Sequence, residues 1–430
     1  MNIKLYNWAK NIYDVKDKSL IKYSFTKDRY LTKKAVLWLG QTCNLSCYFC
    51  YFAKKIEDKD DLHHDFMSIE KAKKICYTLR YIYGNKAIDI QGGEPTIYPK
   101  IIELVSYCHK IGLEPTLITN GIVLNSYEIC EAYKKAGIKD FLISIHAIGD
   151  VYDEIVVQKG ASKKQLNALK NLQMLGIPFR FNCTLTLQTI DYIEEITQVA
   201  IDVNAKAFNF IVFNPNEDQK DNTDTRNRLN VATYTKVKEV IEPTIKKLEN
   251  YSIETNIRYL PLCMLDDEYR KNIYGMYQVP YDHNEWDFNS WTWTTRLNQR
   301  SNSDDLDKPL PILLYNQKEH NDVNFDNVSV HGTKEHYLKN IDLYEHVLKL
   351  FNADISKDEL YYNNAKLRVE KHLGYIYSEK CEKCSLKNIC DGLHGDYIAL
   401  FGDDEIKPII LDNDVEDVKF YIKNQDKAIY

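Results

Sequence analysis

No stretch of this 430-residue chain supplies the ~20 consecutive apolar residues that a membrane-spanning helix needs. Met1 to Asp17 mixes charged and apolar residues and so lacks the uninterrupted apolar core of a secretory signal. A cytoplasmic protein is therefore expected. A basic surplus is missing too: 56 Lys and Arg stand against 62 Asp and Glu, a formal charge of −6 with a pI near 6.0. Nothing is left over to neutralise a phosphate backbone, so neither nucleic acid nor a membrane is an expected partner. Positive runs such as Lys71-Ala72-Lys73-Lys74 fall within helical patterns and read as solvated faces. Low-complexity tracts are absent. With hydrophobic residues at 44% and charged residues at 27%, the composition is that of a globular protein without long disorder.

What is present is cysteine, eleven in all. In a reducing compartment clustered cysteines point to metal binding or catalysis rather than disulfides. The length allows two or three domains. From about Lys34 to Pro215 a short apolar run, a polar turn and an amphipathic helical segment alternate. Strands are predicted at Ala35–Gly40, Ala87–Gln91, Thr116–Thr119, Phe141–His146, Phe179–Thr186 and Ala207–Phe213. Helical patterns lie at Ser68–Tyr83, Lys100–Ile111, Ser126–Ala136, Lys163–Leu175, Asp191–Val203 and Thr233–Glu249. Such alternation predicts a parallel sheet with right-handed crossovers. Six units are too few to close an eight-stranded barrel, so the expectation is an α/β fold, a partial (β/α)6 TIM-like barrel. Ser252–Leu262 reads as one more strand. Residues 264–380 then turn rich in Asp, Asn, Tyr and Trp, as in Asp282-His283-Asn284-Glu285-Trp286 and Trp291-Thr292-Trp293, with a helix-like pattern from Lys334 to Phe351. The expected organisation is an N-terminal extension over 1–33, the partial barrel over 34–250, a strand and insertion shaping the substrate side over 251–380, and a small cysteine-rich domain over 381–430.

Cys43, Cys47 and Cys50 follow the first strand directly, at the carboxyl edge of the sheet where barrel enzymes keep their chemistry. Three thiolates this close can hold three corners of a 4Fe-4S cluster and leave one iron open. A zinc site completed by His63 or His64, or three unrelated buried thiols, would satisfy the same spacing. After the second strand come Gly92, Gly93, Glu94 and Pro95: the glycines permit close backbone approach, and the Glu can accept from an ammonium group. Thr119-Asn120-Gly121 closes the third strand, Ser144-Ile145-His146 ends the fourth, and Asn182 and Thr184 lie on the fifth. His146 is a candidate for the substrate cavity or a packing residue. Cys76, Cys108, Cys130 and Cys183 fall in helix or strand patterns and read as small buried apolar residues. Near the C-terminus Cys381, Cys384 and Cys390 have metal-ligand spacing.

The three-cysteine spacing with the Gly-Gly-Glu-Pro turn resembles the radical S-adenosylmethionine (SAM) superfamily, over about 180 residues. That resemblance implies a cluster on Cys43, Cys47 and Cys50, and SAM cleaved reductively to a 5′-deoxyadenosyl radical. It also implies that Phe49 lies against adenine, that the Gly92–Pro95 turn meets the SAM amino group, and that Thr119 and Asn120 border the cofactor. Ser144 and Asn182 would contact the carboxylate and ribose. The C-terminal cysteines resemble SPASM or Twitch extensions, which carry auxiliary clusters. His394 stands where the full pattern has a further cysteine, so one auxiliary 4Fe-4S cluster is expected, with Cys263 as its fourth thiol. A structural zinc on Cys381, Cys384 and Cys390, completed by His394 or Cys263, is the alternative. The expected substrate is a small polar molecule such as a sugar, aminocyclitol or nucleotide-linked sugar. Family analogy suggests a flavodoxin or ferredoxin-type reductant. Peptide modification is the main rival reading; the short segment before the first strand, which leaves little room for a peptide-recognition domain, counts against it. A non-catalytic electron-transfer protein is the third.

Overall fold

Along Phe179–Leu185 buried and half-buried residues alternate strictly. Phe179, Phe181, Cys183 and Leu185 enter the main core, while Arg180, Asn182 and Thr184 face the other way. This two-residue period is that of a strand buried under helices on one face and half-buried on the other. The computed structural model describes residues 24–26, 29–31, 34–40, 42–50, 66–81, 86–213, 228–275 and 375–425. A short hairpin, β1 (Ser24–Thr26) with β2 (Arg29–Leu31), precedes the main sheet. That sheet comprises β3 (Lys34–Trp38), β4 (Ala87–Gln91), β5 (Glu114–Thr119), β6 (Asp140–Ser144), β7 (Phe179–Leu185), β8 (Ala207–Val212), β9 (Glu254–Arg258) and β10 (Ile273–Tyr274). They pair in chain order and all in parallel, curling into a half-barrel.

The helices that cover its outer face are α1 (Ile69–Tyr81), α2 (Ile101–Lys110), α3 (Tyr127–Ala136), α5 (Ala161–Leu175), α6 (Ile193–Asp202) and α7 (Tyr234–Glu249), while the short α4 (Gly149–Ile155) packs beside the loop that follows β3. On α5 the buried positions Gln165, Ala168, Leu169 and Leu172 recur at helical spacing. Each fully buried leucine of that stripe contributes about 2 kcal/mol of apolar transfer. Gly176, at φ +64°, ends the helix in the left-handed cap conformation.

The six predicted strand–helix units are all present, and two further strands extend the same sheet. β9 is the strand expected after Ser252, and it joins the barrel sheet beside β8. β10 has only two residues, too few to leave a periodic pattern, and α4 is a seven-residue helix that escaped for the same reason. The cysteine-rich end forms a two-stranded sheet, β11 (Tyr375–Ile376) with β12 (Leu393–His394), followed by α8 (Gly395–Phe401). The insertion at 276–374, including the Asp282–Trp286 and Trp291–Trp293 runs, lies outside the described residues, as do His63 and His64.

On the inner face, Arg180 grips Asp140 through Nε at 2.6 Å and Nη2 at 3.2 Å, and Thr116 donates to the same carboxylate. The Asp140 side chain is 2% exposed and that of Arg180 14%. Arg180→Ala leaves a buried carboxylate without its counter-charge and is expected to cost about 3–5 kcal/mol in denaturant unfolding. The double variant Arg180→Met/Asp140→Leu, which removes both charges, is expected to recover most of that loss.

Candidate active site at the carboxyl edge of the sheet

The chain leaving β3 is zipped to the chain leaving β4. The Leu39 amide donates to Gln91 O at 2.8 Å, Gly93 to Gly40 O at 2.9 Å, and Glu94 to Thr42 O at 2.9 Å. Gly92 has φ +150°, and a Cβ there would sit 2.5 Å from Gly40 O. Only glycine permits this approach. The cysteine loop is thereby seated on the glycine turn. Further ties complete its shape: the Cys50 amide donates to Cys47 O at 3.0 Å, and Ser46 to Val156 O at 3.1 Å. Asn120 Nδ2 donates to Asn44 Oδ1 at 2.8 Å, and the Tyr48 and Thr186 hydroxyls share a hydrogen bond of 2.6 Å. Leu45, Ile122, Tyr152, Ile155 and Val156 form a separate apolar cluster against which Cys43, Cys47 and Phe49 pack.

Burial, with Glu94 nearby, pushes the Cys43 thiol up to about 12; burial with Cys50 and Cys43 pushes Cys47 higher still. Two thiols desolvated beside a carboxylate, with a third next to them, are a poor home for free thiolates. As a donor set they fit a cationic iron cluster, whose charge offsets that penalty.

Glu94 is 1% exposed. Its Oε1 accepts from Thr96 N at 3.0 Å, Thr96 Oγ1 at 2.6 Å and Thr119 Oγ1 at 2.5 Å, and its Oε2 from Asn120 N at 2.8 Å. The acceptor capacity expected for an ammonium group is taken up by these four donors. Glu94 thus caps the short helical turn at Pro95–Ile97 and couples the end of β4 to the end of β5. Burial raises its pKa more than the hydrogen bonds lower it.

Ser144 and Asn182 are register partners on β6 and β7, and the row continues through Asn209 on β8 and Asn256 on β9. Asn256 donates to Asn209 Oδ1 at 2.9 Å. Gln165 of α5 was not foreseen as a site residue. Its Nε2 donates to Asn120 O at 2.7 Å, Ser144 O at 2.8 Å and Tyr152 Oη at 2.9 Å, pinning two strand ends to a helix. The signal for it was a polar residue in the apolar stripe of α5. Asn209 and Asn256 were also missed, because their alignment depends on register between strands more than 40 residues apart.

The ring of Phe49 meets His146 edge-on, centroids 4.7 Å apart, and Phe213 at 6.3 Å. Burial lowers the His146 pKa to about 3, so the imidazole is neutral. Its Nδ1 accepts from Thr184 N at 3.2 Å, which leaves the proton on Nε2. The thiols of Cys76, Cys108, Cys130 and Cys183 are fully buried and belong to the core.

In the C-terminal region Cys263, Cys381, Cys384 and Cys390 line one pocket, with Tyr377, Leu386 and Leu393 among its apolar walls. Gly392 N lies 3.5 Å from Cys390 Sγ and Ile409 N 3.4 Å from Cys384 Sγ, so backbone donors face two of the sulfurs. At Gly392, φ +83°, a Cβ would strike Ile376 O at 2.5 Å. His394 is elsewhere: its Nδ1 accepts from Asp396 N at the start of α8, and its ring packs on Tyr375. Among the described residues no three His, Cys, Asp or Glu side chains converge on a single-ion site. The four cysteines line one pocket, and His394 is not part of its lining. Cys263→Ala is expected to lower the iron content of reconstituted protein, and His394→Ala to leave it unchanged, by colorimetric iron and sulfide determination.

A parallel half-barrel with three cysteines seated on a glycine turn at its carboxyl edge defines a class of cluster-bearing α/β proteins. Residues 39–200 match the radical SAM superfamily, and the chain carries a radical SAM domain. It is 31% identical over 168 residues to Fe-coproporphyrin III synthase of Methanosarcina barkeri, covering 39% of this chain and 40% of that protein. It is 33% identical over 147 residues to GTP 3′,8-cyclase of Peptoclostridium acidaminophilum, covering 33% and 43%. Against PqqA peptide cyclase of Bradyrhizobium diazoefficiens the identity is 26% over 171 residues, covering 40% and 43%. The chain spans less than half the length of these relatives. The family implies a 4Fe-4S cluster and SAM.

Proposed function

We propose that this chain is a radical SAM enzyme that abstracts hydrogen from a small polar substrate bound on the inner face of the half-barrel. The observation that carries the reading is the cysteine loop locked by backbone hydrogen bonds onto the Gly92–Glu94 turn. Cys43, Cys47 and Cys50 would hold the cluster, which with bound SAM supplies one-electron cleavage to a hydrogen-abstracting 5′-deoxyadenosyl radical. The protein's own part is positional. The Gly92–Gly93 turn, fixed in shape by the buried Glu94 and by its bonds to Gly40 and Thr42, would meet the methionine end of SAM. Phe49, wedged against neutral His146 and Phe213, closes one wall and excludes water. Ser144 and Asn182 present adjacent polar groups to the ribose and carboxylate.

Beyond them Asn209 and Asn256 extend the same row of polar side chains away from the cysteine loop. Asn256 is engaged by Asn209, Glu254 and Gln425 and fixes the Asn209 amide; the polar groups of Asn182 and Asn209 suit hydrogen bonding to hydroxyl and carbonyl oxygens, which favours a sugar, an aminocyclitol or a nucleotide-linked sugar. A peptide substrate is the second reading, favoured by the match to a peptide cyclase. That match and those to Fe-coproporphyrin III synthase and GTP 3′,8-cyclase cover similar shares of this chain, so the matches themselves do not choose. The second cavity, lined by Cys263, Cys381, Cys384 and Cys390, would hold an auxiliary cluster with all four ligands from protein.

The test is anaerobic reconstitution with iron and sulfide, then incubation with SAM and dithionite. Formation of 5′-deoxyadenosine is the expected result. Its absence, with a full complement of iron and with candidate sugars and peptides added, would move the assignment to an electron carrier.

A further inference from the structure

A chain of side-chain amides runs from the C-terminal tail onto the inner face of the half-barrel. Gln425, 3% exposed, donates from Nε2 to Thr255 O and, at 3.3 Å, to Asn256 Oδ1, while its Oε1 accepts from Tyr274 Oη at 2.9 Å. Asn256 Nδ2 donates to Glu254 Oε1 at 2.7 Å and to Asn209 Oδ1 at 2.9 Å. The direction of this chain is forced from two sides. A backbone carbonyl only accepts, so the end of Gln425 facing Thr255 O has to be its NH2 group, and this turns Asn256 Oδ1 toward Gln425. A carboxylate likewise only accepts, so the end of Asn256 facing Glu254 is again its NH2 group. Both anchors leave Asn209 Oδ1 as the acceptor of the remaining Asn256 proton.

Asn209 is thereby held with its oxygen used and its Nδ2 left over as a donor. Among the described residues that Nδ2 has no hydrogen-bond partner, and it is not sealed in the core, since Asn209 is half-buried. Phe208 and Phe210, its neighbours along β8, take the core face instead. Asn182, its register partner about 5 Å away on β7, is also half-buried, and its amide makes no hydrogen bond with a described residue.

We propose that Asn209 is a specificity-determining residue whose Nδ2 is a fixed donor for an oxygen of the substrate and rejects an ammonium group at that position. The inference rests on the reading that a sugar or nucleotide-linked sugar occupies the inner face, and it narrows that reading. A freely turning amide serves hydroxyl, carbonyl and amino groups alike by presenting either end. Here a half-turn would set the Asn209 NH2 against the Asn256 NH2 and lose their bond, so only the donor end is offered. An aminocyclitol or amino sugar fits only with its ammonium group directed elsewhere. Asn256, whose oxygen and nitrogen are both engaged, and Gln425 are positioning residues that set the polarity of the Asn209 amide.

The probes are UDP-glucose and its analogues with an ammonium group in place of one sugar hydroxyl at a time. Binding to the reconstituted full-length protein in the presence of SAM is measured by calorimetry. Wild type is expected to bind UDP-glucose and to lose about tenfold in affinity for the analogue whose ammonium group meets Asn209, with smaller changes at the other positions. Asn209→Leu is expected to bind UDP-glucose roughly fivefold to tenfold more weakly. Asn256→Leu keeps Asn209 but frees its amide to turn. The ratio of affinities for UDP-glucose and that one analogue is therefore expected to fall toward one while UDP-glucose still binds. A network that only holds the fold together would weaken every probe alike and leave the ratio unchanged, and the ratio does not depend on how much of a variant folds. Wild type binding every analogue as well as UDP-glucose, unchanged binding in Asn209→Leu, or a wild-type ratio in Asn256→Leu would each overturn the fixed donor. Failure of wild type to bind UDP-glucose at all would instead overturn the sugar reading.

Discussion

Replacing Cys43, Cys47 and Cys50 together with alanine is expected to remove about four of about eight irons per reconstituted chain and to abolish formation of 5′-deoxyadenosine. The loss should be total. All three thiols sit on one nine-residue loop whose backbone is held by Glu94 and Val156 and whose Asn44 side chain is held by Asn120, so no neighbouring cysteine can replace them. The fully buried thiols, Cys76, Cys108, Cys130 and Cys183, lie in the core. Iron retained by the triple variant would belong to the cavity at Cys263, Cys381, Cys384 and Cys390, and it should retain an optical spectrum of iron–sulfur type. Loss of all iron would mean that the second site depends on the first or does not hold a cluster.

Glu94→Ala is expected to destabilise the fold by on the order of 4 kcal/mol and to eliminate SAM binding, because four donors of Thr96, Thr119 and Asn120 lose a buried acceptor at once. Glu94→Gln is not conservative here. One of its two terminal atoms becomes a donor and must face either the Asn120 amide or the Thr96 and Thr119 groups. Chemical unfolding measures the stability, and equilibrium dialysis with labelled SAM the binding. The pH dependence follows from the raised pKa of Glu94. Its contribution to stability is fully present below the ordinary carboxylate pKa and is lost as pH rises through the higher folded value. The difference in stability between wild type and Glu94→Gln should accordingly change across that window and be flat above it. A variant with unchanged SAM affinity would show that the turn keeps its shape without the carboxylate.

The two cofactor regions differ in how they are assembled. The cysteine loop is local: its three thiols fall within eight residues, and the glycine turn that seats it arrives on the adjacent strand. The second cavity draws Cys263 from just after β9 and joins it to a knot more than 110 residues later. Anchors between the two parts are explicit. Tyr397 of α8 stacks on Tyr234 with centroids 3.7 Å apart and donates to the Glu405 carboxylate, while its oxygen accepts from Tyr234 N at 2.8 Å. Gln425 bonds Thr255 O and receives Tyr274 Oη at 2.9 Å, covering the end of β9 that β10 leaves open.

The alternation of apolar runs and amphipathic helices was enough by itself to determine the parallel half-barrel, since burial on one face and on one stripe is written in periods of two and 3.6 residues. Spacing also determined the cysteine loop and glycine turn, because both are contiguous and their chemistry is carried by residue type. Tertiary structure alone decided what depends on register and on distance closed by folding. Ser144, Asn182, Asn209 and Asn256 become a row only when four strands align, Gln165 becomes a brace only when α5 lies across two strand ends, and Glu94 is closed off only when β5 brings Thr119 and Asn120 to it. The same holds for which of Cys263 and His394 lines the second cavity. Sequence spacing offered both, and only the folding of β9 toward the C-terminal knot, with His394 turned to cap α8, separated them.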